Sequence, residues 1–474
     1  MSAALQAAAS SNPHGLIDSA RRIAPLAWPV LVGQLAVLAF STIDTAMVAR
    51  YAALDLAALA IGGAVYISIF VGFMGVVLAI GPIAGQLFGA GRLAEAGRQL
   101  HQSLWLALAL SAVGCTLLLF PEPFLALAHA QPEVATKVRG YLTALAFALP
   151  SALLFTAFRG FNTAVSRPKI VMGLQLLALL LKLPLNAMLV FGFTLGEWHV
   201  AALGAPGCGV ATAIVMGAQL LAAWIVLRRD PFYRRFELPA GRWSAPHRAS
   251  LAGLLRLGVP MGLSIGIEVT GFTFMAFFIS RLGATPVAGH QIAVNMVSLL
   301  FMMPLALANA TSTLVAQRIG ADDLRDARRI GWHGLQIGVL IAAAMGGSAY
   351  LLRESLLRAY THDSVIIAAA MPLLAWVMLF HIADAAQTIA AFTLRAYRIA
   401  TAPVVIYVTA IWGVGLGGGY AVAFNTTGLS PAALQGAQGF WSACTAGLTL
   451  AAIGLSAFLL WVLRQQHERL SSAR

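Results

Sequence analysis

Residues 85–98 read GQLFGAGRLAEAGR, and residues 316–329 read AQRIGADDLRDARR, 231 positions further on. Gln86 falls on Gln317, Gly89 on Gly320, Ala90 on Ala321, Leu93 on Leu324, Ala96 on Ala327 and Arg98 on Arg329, with Glu95 opposite Asp326. The same gap-free shift sets Pro29 on Pro260, Arg50 on Arg281 and Ile61 on Ile292, so one register covers about seventy residues. Apolar coincidences come easily in so apolar a chain. Gln, Gly, acid and Arg matches in a single register do not. Further on the register loosens, with Arg159 falling near Arg395 and Pro168 near Pro403. The chain reads as a duplication.

What was duplicated follows from composition. Of the 474 residues, 60% are hydrophobic and 10% charged, and the mean hydropathy is +0.83. A soluble domain carries about 25% charged residues, so lipid must be the main solvent of this chain. A membrane span needs about 20 apolar residues. Runs of that kind are predicted at 23–48, 58–84, 100–120, 139–158, 168–192, 205–227, 252–280, 289–316, 333–352, 366–394, 402–424 and 438–463. The first run is longer than the core of a secretory signal and contains Asp44, so it reads as a retained helix. The expected fold is an all-α integral membrane protein with twelve transmembrane helices in two six-helix, pseudo-symmetric lobes. The expected divisions are a tail at 1–20, an N-lobe at 21–228, a basic inter-lobe loop at 229–251, a C-lobe at 252–464 and a tail at 465–474.

Basic residues orient the chain. With the loops assigned alternately to two sides, the side carrying both termini holds 23 Lys and Arg and the other side 6, with Lys182 inside a helix. By the positive-inside rule both termini are expected to be cytoplasmic, in a plasma (inner) membrane. The longest loop, 228–256, contributes seven arginines. The net charge of +13 is read as membrane anchoring and not as a nucleic-acid footprint. Six helices per repeat is an even number, so both halves enter from the same side. They should be related by an axis along the membrane normal with a central cavity between them, as in transporters.

An ionisable side chain near the membrane centre costs about 2.5–3.5 kcal/mol on insertion scales, so each one needs a reason. Asp44 lies in FSTIDTAMVAR, Lys182 in LLLKLPLNAMLV with Asn186 one turn later, Glu268 in PMGLSIGIEVTGF and Asp384 in FHIADAAQTIA. His381 and Gln387 stand three residues either side of Asp384 and share its helix face. Asp44, Glu268 and Asp384 are the ion-coupling candidates. A carboxylate there can take a proton, bind Na⁺ or attract a cationic substrate, and these events compete. Lys182, Asn186, His381, Gln387 and Gln34 are the candidate supporting groups. Lys182 either neutralises Asp44 or snorkels to the interface. His290 and Gln291 fit packing or capping at the outer end of a helix. Arg159 and Arg395 fall near predicted helix ends and read as interfacial anchors.

Several classes are excluded or disfavoured. No P-loop, GxSxG, HExxH or CxxC motif is present, so neither ATP hydrolysis nor an enzyme is indicated. Cys115, Cys208 and Cys444 lack metal-ligand spacing and read as small packing residues. Gly417–Gly419 is a lone run suited to close helix packing.

PVLVGQLAVLAFSTIDTAMVAR, LGVPMGLSIGIEVT, AGHQIAVNM, RGFNTAVSRP, the GQLFGAG loop and the Asp384 segment together resemble the multidrug and toxic compound extrusion (MATE) transporters, in their bacterial NorM-type branch. The resemblance spans roughly residues 20–460. It implies a V-shaped pair of lobes that exchanges inward-moving H⁺ or Na⁺ for outward-moving organic cations, with no cofactor beyond the coupling ion. It puts Glu268 and Asp384 at the C-lobe coupling positions, also the place for Na⁺ if Na⁺ is used. Asp44 takes the N-lobe acidic position, with Asn186 as a polar neighbour. The chain departs from the branch at Lys182, where Asn is common, and at Phe380, where a Na⁺-using relative is expected to have Tyr. A fixed cation at Lys182 disfavours Na⁺ in the N-lobe, and both departures favour H⁺.

The expected activity is cation-coupled efflux of cationic or amphipathic small molecules by alternating access, carried out by a monomer in the lipid bilayer, without nucleic acid. The nearest rival is a lipid-linked saccharide flippase of the same superfamily. That activity would favour a strongly cationic cavity, against three midplane acids and one lysine here. A membrane-embedded enzyme would need convergent catalytic residues, and a channel would not need its carboxylates to alternate in protonation.

Overall fold

The computed structural model describes residues 15–127, 131–195, 198–238 and 243–472. Among them twelve helices are long and apolar enough to cross a membrane: α1 Leu16–Tyr51, α2 Ala53–Gly89, α3 Leu93–Leu119, α4 Pro132–Ala164, α5 Pro168–Phe191, α6 Ala205–Arg229, α7 Arg248–Ser280, α8 Ala284–Gly320, α9 Leu324–Leu351, α10 Leu373–Ala396, α11 Thr401–Ala423 and α12 Ala437–Gln465. Prolines 25, 29, 150, 184, 260 and 304 lie inside these helices. Membrane helices tolerate them because neighbours meet the freed carbonyls. In α2 the helix is interrupted at Leu78 and Ala79, just before Pro82. In α11 it widens to a π-helix over Val408–Gly418.

Three details depart from the expected outline. The first helix starts at Leu16, so part of the stretch expected as a tail is helical. The all-α class holds, with one short addition among the described residues: β1 (Phe193–Leu195) pairs antiparallel with β2 (Trp198–Val200) in the turn between α5 and α6. The basic connector is not free, since a short 3-10 helix, Pro231–Phe236, docks on the N-lobe. There Tyr233 and Phe236 are buried, and the Tyr233 hydroxyl donates to Asn162 Oδ1. Phe236 backbone lies so close over Gly97 that no larger residue fits there.

In each lobe one helix is the axle. In the N-lobe α4 packs against α2, α3 and α6, and in the C-lobe α10 packs against α8, α9 and α12. Their most apolar windows are 72% and 67% buried, the highest of the twelve spans. This symmetry is exact enough to read from turns. Gly91 (φ 72°) matches Asp322 (φ 59°), a shift of 231, and Ser166 (φ 62°) matches Arg398 (φ 60°), a shift of 232. The second pair fixes the later register, and it places Arg159 and Arg395 one helical turn apart from equivalence. The pairing read from sequence is corrected to that extent.

The lobes meet at the end that carries the termini. Gln86 Nε2 donates to the Ala396 carbonyl at 2.8 Å, and its repeat-mate Gln317 donates to the Ala164 carbonyl at 2.7 Å. Gly89 lies against the Gln317 backbone, and Gly320 against that of Gln86. The duplicated sequence is thus a self-complementary clasp. Arg22 forms a two-pronged ion pair with Asp326, at 3.1 and 2.8 Å, and Ser19 Oγ bonds His333 Nδ1 at 2.7 Å. Deeper in, α2 and α7 touch backbone to backbone, and a Cβ on Gly75 would stand 2.6 Å from the Gly262 Cα.

Candidate functional site

The axle α10 presents Phe380, Asp384, Gln387 and Thr388 on one face, the spacing of successive helical turns. Opposite stands Glu268, two turns beyond Pro260 on α7. Gln387 Nε2 donates to Glu268 Oε1 at 3.0 Å and to Asp384 Oδ1 at 2.9 Å, with Thr388 Oγ1 also 3.0 Å away. The Tyr407 hydroxyl of α11 donates to Gln387 Oε1. A Gln amide has two N–H bonds to give and one carbonyl to receive. Tyr407 holds the carbonyl end, so the amino end faces both carboxylates. Neither Glu268 nor Asp384 forms an ion pair among the described residues.

Two cavities meet at this point. One, of about 420 Å³, lies inside the C-lobe and is lined by Glu268, Asp384, Phe272, Phe380 and Val297. The other, of about 240 Å³, lies between the lobes and is lined by residues of both, among them Gln34, Arg159, Glu268, Thr388, Arg395 and Tyr407. Glu268 is in both walls. Phe380 stacks edge-on against Phe272 and Trp441, with centroids 5.6 and 5.8 Å apart, giving an apolar side to the carboxylate pocket.

The third acid is held differently. Lys182 Nζ lies 3.0 Å from Asp44 Oδ1, and Asn186 Nδ2 donates to the same oxygen at 2.7 Å. The ammonium also reaches Thr212 Oγ1 and, at 3.5 Å, the Cys208 carbonyl. Lys182 is fully buried. Of its two readings, neutralising Asp44 is the one observed and snorkelling is not. The N-lobe site is therefore an internal ion pair, whereas the C-lobe site holds two carboxylates and an amide.

The other sequence candidates divide. Gln34 lines the inter-lobe cavity and Gln387 bridges the acids. His381 is buried with both ring nitrogens lacking a protein partner, and it makes no bond to Asp384 despite sharing its helix. His290 packs edge-on against Trp441 with centroids 5.9 Å apart, in keeping with a packing role. Arg159 and Arg395 are not interfacial anchors. Both line the cavity between the lobes, because α4 and α10, which carry them, are the buried axles. Tyr407 and Thr388 were missed. Tyr407 sits in an apolar run with no charge beside it, and its only signal was a polar atom in a membrane helix. Among the described residues no group of three or more His, Cys, Asp or Glu gathers as a metal site.

The MatE family model matches residues 29–188 and 260–421, one match per lobe. The chain is 38% identical over 455 residues, 96% of its length and 97% of the relative's, to a probable multidrug resistance protein NorM of Aromatoleum aromaticum. It is 34% identical to the multidrug resistance protein PmpM of Pseudomonas aeruginosa, over 95% of this chain and 94% of that one. Its fold is similar to the outward-facing conformation of a multidrug resistance MATE family transporter of the MOP superfamily (TM-score 0.84, 18% identity, covering 97% of this chain and 100% of that one). It is likewise similar to the Vibrio cholerae MATE transporter VcmN in the bent form (TM-score 0.82, 17% identity, 95% and 98% covered).

Proposed function

The chain belongs to the MatE family, and from that premise we propose that it is a multidrug efflux transporter in which Glu268 and Asp384 exchange inward-moving protons for an outgoing amphipathic cation. The observation that carries the reading is the Gln387 amide held between the two carboxylates, at the wall shared by the C-lobe and inter-lobe cavities. A cation entering the inter-lobe cavity meets Glu268 first. Two ionised carboxylates facing one amide in a low-dielectric site repel each other and attract that cation. A proton arriving at either carboxylate cancels the attraction, so cation and proton compete for the same charge. Alternating access turns this competition into exchange.

The choice of H⁺ rests on three contacts. Both carboxylates already accept N–H bonds, Phe380 brings no hydroxyl oxygen to the pocket, and in the N-lobe Lys182 already supplies Asp44 with a cation. Na⁺ prefers a shell of oxygen ligands, whereas here Glu268 Oε1 and Asp384 Oδ1 are both turned to the Gln387 amide and not to a common cation. The 23-to-6 division of basic residues supports cytoplasmic termini in an inner membrane. With the lobes clasped at the termini end, the state at hand is then the outward-facing one.

The test is efflux of a fluorescent organic cation from proteoliposomes with proton and Na⁺ gradients imposed separately. A proton gradient alone should drive it. Glu268→Gln and Asp384→Asn should each bring transport to background without lowering the amount of protein in the membrane. Full efflux retained in both variants would refute the coupling assignment.

A further inference from the structure

The rim where α5 begins and α6 ends carries more positive charge than its own acids can balance. Ile170, Val171 and Leu174 of α5 pack with Ala223, Val226 and Leu227 of α6, so the two helix ends lie side by side. The docked 3-10 helix Pro231–Phe236 follows directly. Two acids stand on this stretch, and both are taken: Asp230 pairs with Arg167 at 2.5 Å, and Glu237 lies 3.9 Å from Arg98. Lys169, Arg228, Arg229, Arg234 and Arg235 are exposed, and among the described residues none of them forms an ion pair.

Several of these cations are held in place by aromatic rings. Arg228 lies over the Trp224 ring, 4.8 Å from its centroid, and Lys169 is 5.8 Å from that of Trp28. Arg235 lies 4.3 Å from the Phe232 ring, as close as Arg167 does, and its Nε donates to the Phe232 carbonyl at 3.2 Å. Trp28 and Trp224 are each 46% exposed on membrane-spanning helices, as amphipathic rings are at headgroup depth. Leu221, Trp224, Ile225 and Arg228 are all exposed at the spacing of one helix face, so an apolar strip of α6 leads straight to a charge. A topological signal needs only enough basic residues in a loop, with no fixed geometry. Cations seated on aromatic rings at the head of an apolar strip have the geometry that takes a lipid phosphate.

We propose that this rim binds the headgroup of an anionic phospholipid from the leaflet on the side of the termini. Its phosphate is held by the unpaired cations, Arg228 and Arg235 foremost, and its acyl chains run along Leu221, Trp224 and Ile225. The occupant is a lipid and not a free anion because the apolar strip adjoins the charges. The bound headgroup gives the 3-10 helix a negative partner and so secures the connector to the N-lobe. None of this depends on the coupling ion or on the transported substrate.

The test is native mass spectrometry of the delipidated full-length protein, titrated with phosphatidylglycerol or with phosphatidylcholine of the same acyl chains. A Lys or Arg beside an anionic headgroup is worth about fivefold in binding. Phosphatidylglycerol should therefore bind about tenfold or more tighter than phosphatidylcholine, and the preference should shrink as the salt concentration is raised. Arg228→Gln combined with Arg235→Gln should cut the preference about tenfold. Arg325→Gln combined with Arg328→Gln, which removes as much charge from exposed positions at the start of α9, should leave it intact. Trp224→Leu should weaken phosphatidylglycerol binding with every charge kept. No preference in the unmodified protein, a preference indifferent to salt, or an equal loss in both double variants overturns the proposal. Displacement of the lipid by an equal concentration of soluble glycerol phosphate also overturns it, by showing a site for a free phosphate.

Discussion

At the scale of single residues, the membrane makes charges legible and everything else quiet. Asp44, Lys182, Glu268 and Asp384 stood out from sequence because each is costly in lipid. What the sequence could not say was who pairs with whom. The pairing separates the lobes, since Lys182 closes on Asp44 at 3.0 Å while Glu268 and Asp384 share the Gln387 amide. The Lys182 ammonium is surrounded by a carboxylate, a hydroxyl and a carbonyl oxygen, the donors an inorganic cation would seek. Removing one member of such a buried pair strands the other. Asp44→Asn should therefore cost about 3–5 kcal/mol in a detergent-unfolding measurement, and Asp44→Asn combined with Lys182→Met should recover most of it. A single variant as stable as the original protein would show that the pair is not closed. Tyr407 was invisible for the converse reason. Its ring suits the apolar run around it, and its hydroxyl acquires meaning only when α11 lies beside Gln387.

At the scale of elements, the apolar runs gave the twelve spans, and the repeat singled out the loops at Gln86 and Gln317 but not the contact they make with the opposite lobe. Helix ends were read less well. Arg395 stands one residue from the end of α10, where an anchor is the ordinary expectation, but α10 packs against α8, α9 and α12 and gives one face to the inter-lobe cavity, which Arg395 lines. The connector carried no pattern that would foretell docking. Its attachment depends on Asp230, which accepts from Phe232 N at 2.8 Å and pairs with Arg167 at 2.5 Å, beneath a guanidinium stacked 4.3 Å from the Phe232 ring. Partial burial pushes the Asp230 carboxyl up, but the Phe232 N–H and Arg167 together hold it below the usual carboxylate range. A lowered folded-state value means that the stabilisation is present above the unfolded-state value and fades as pH falls through the folded one. Hydrogen-exchange protection of Phe232–Phe236 should accordingly be full near neutrality and decline below the ordinary range of carboxylate titration. In Asp230→Asn it should be weaker and lack that pH dependence. Protection that holds unchanged down to strong acid in the original protein would remove Asp230 from this role.

At the scale of the molecule, two lobes related by duplication are clasped at one end through backbone contacts that leave no room for a side chain, as at Gly89 and Gly320. A cavity walled by residues of both lobes is what a rocking exchange requires. Asp44 is paired with Lys182 while Glu268 and Asp384 have no ion pair among the described residues, so on the proposed reading the coupling chemistry is asymmetric although the scaffold is not. The claim on which this depends is that substrate and proton compete for Glu268 and Asp384. It is tested by adding an organic cation to the purified protein in weakly buffered solution and following the pH with an indicator dye. Release of protons in proportion to the substrate bound, absent from the combined Glu268→Gln and Asp384→Asn variant, is expected. Saturating binding with no proton release, or the same release from that variant, would contradict it.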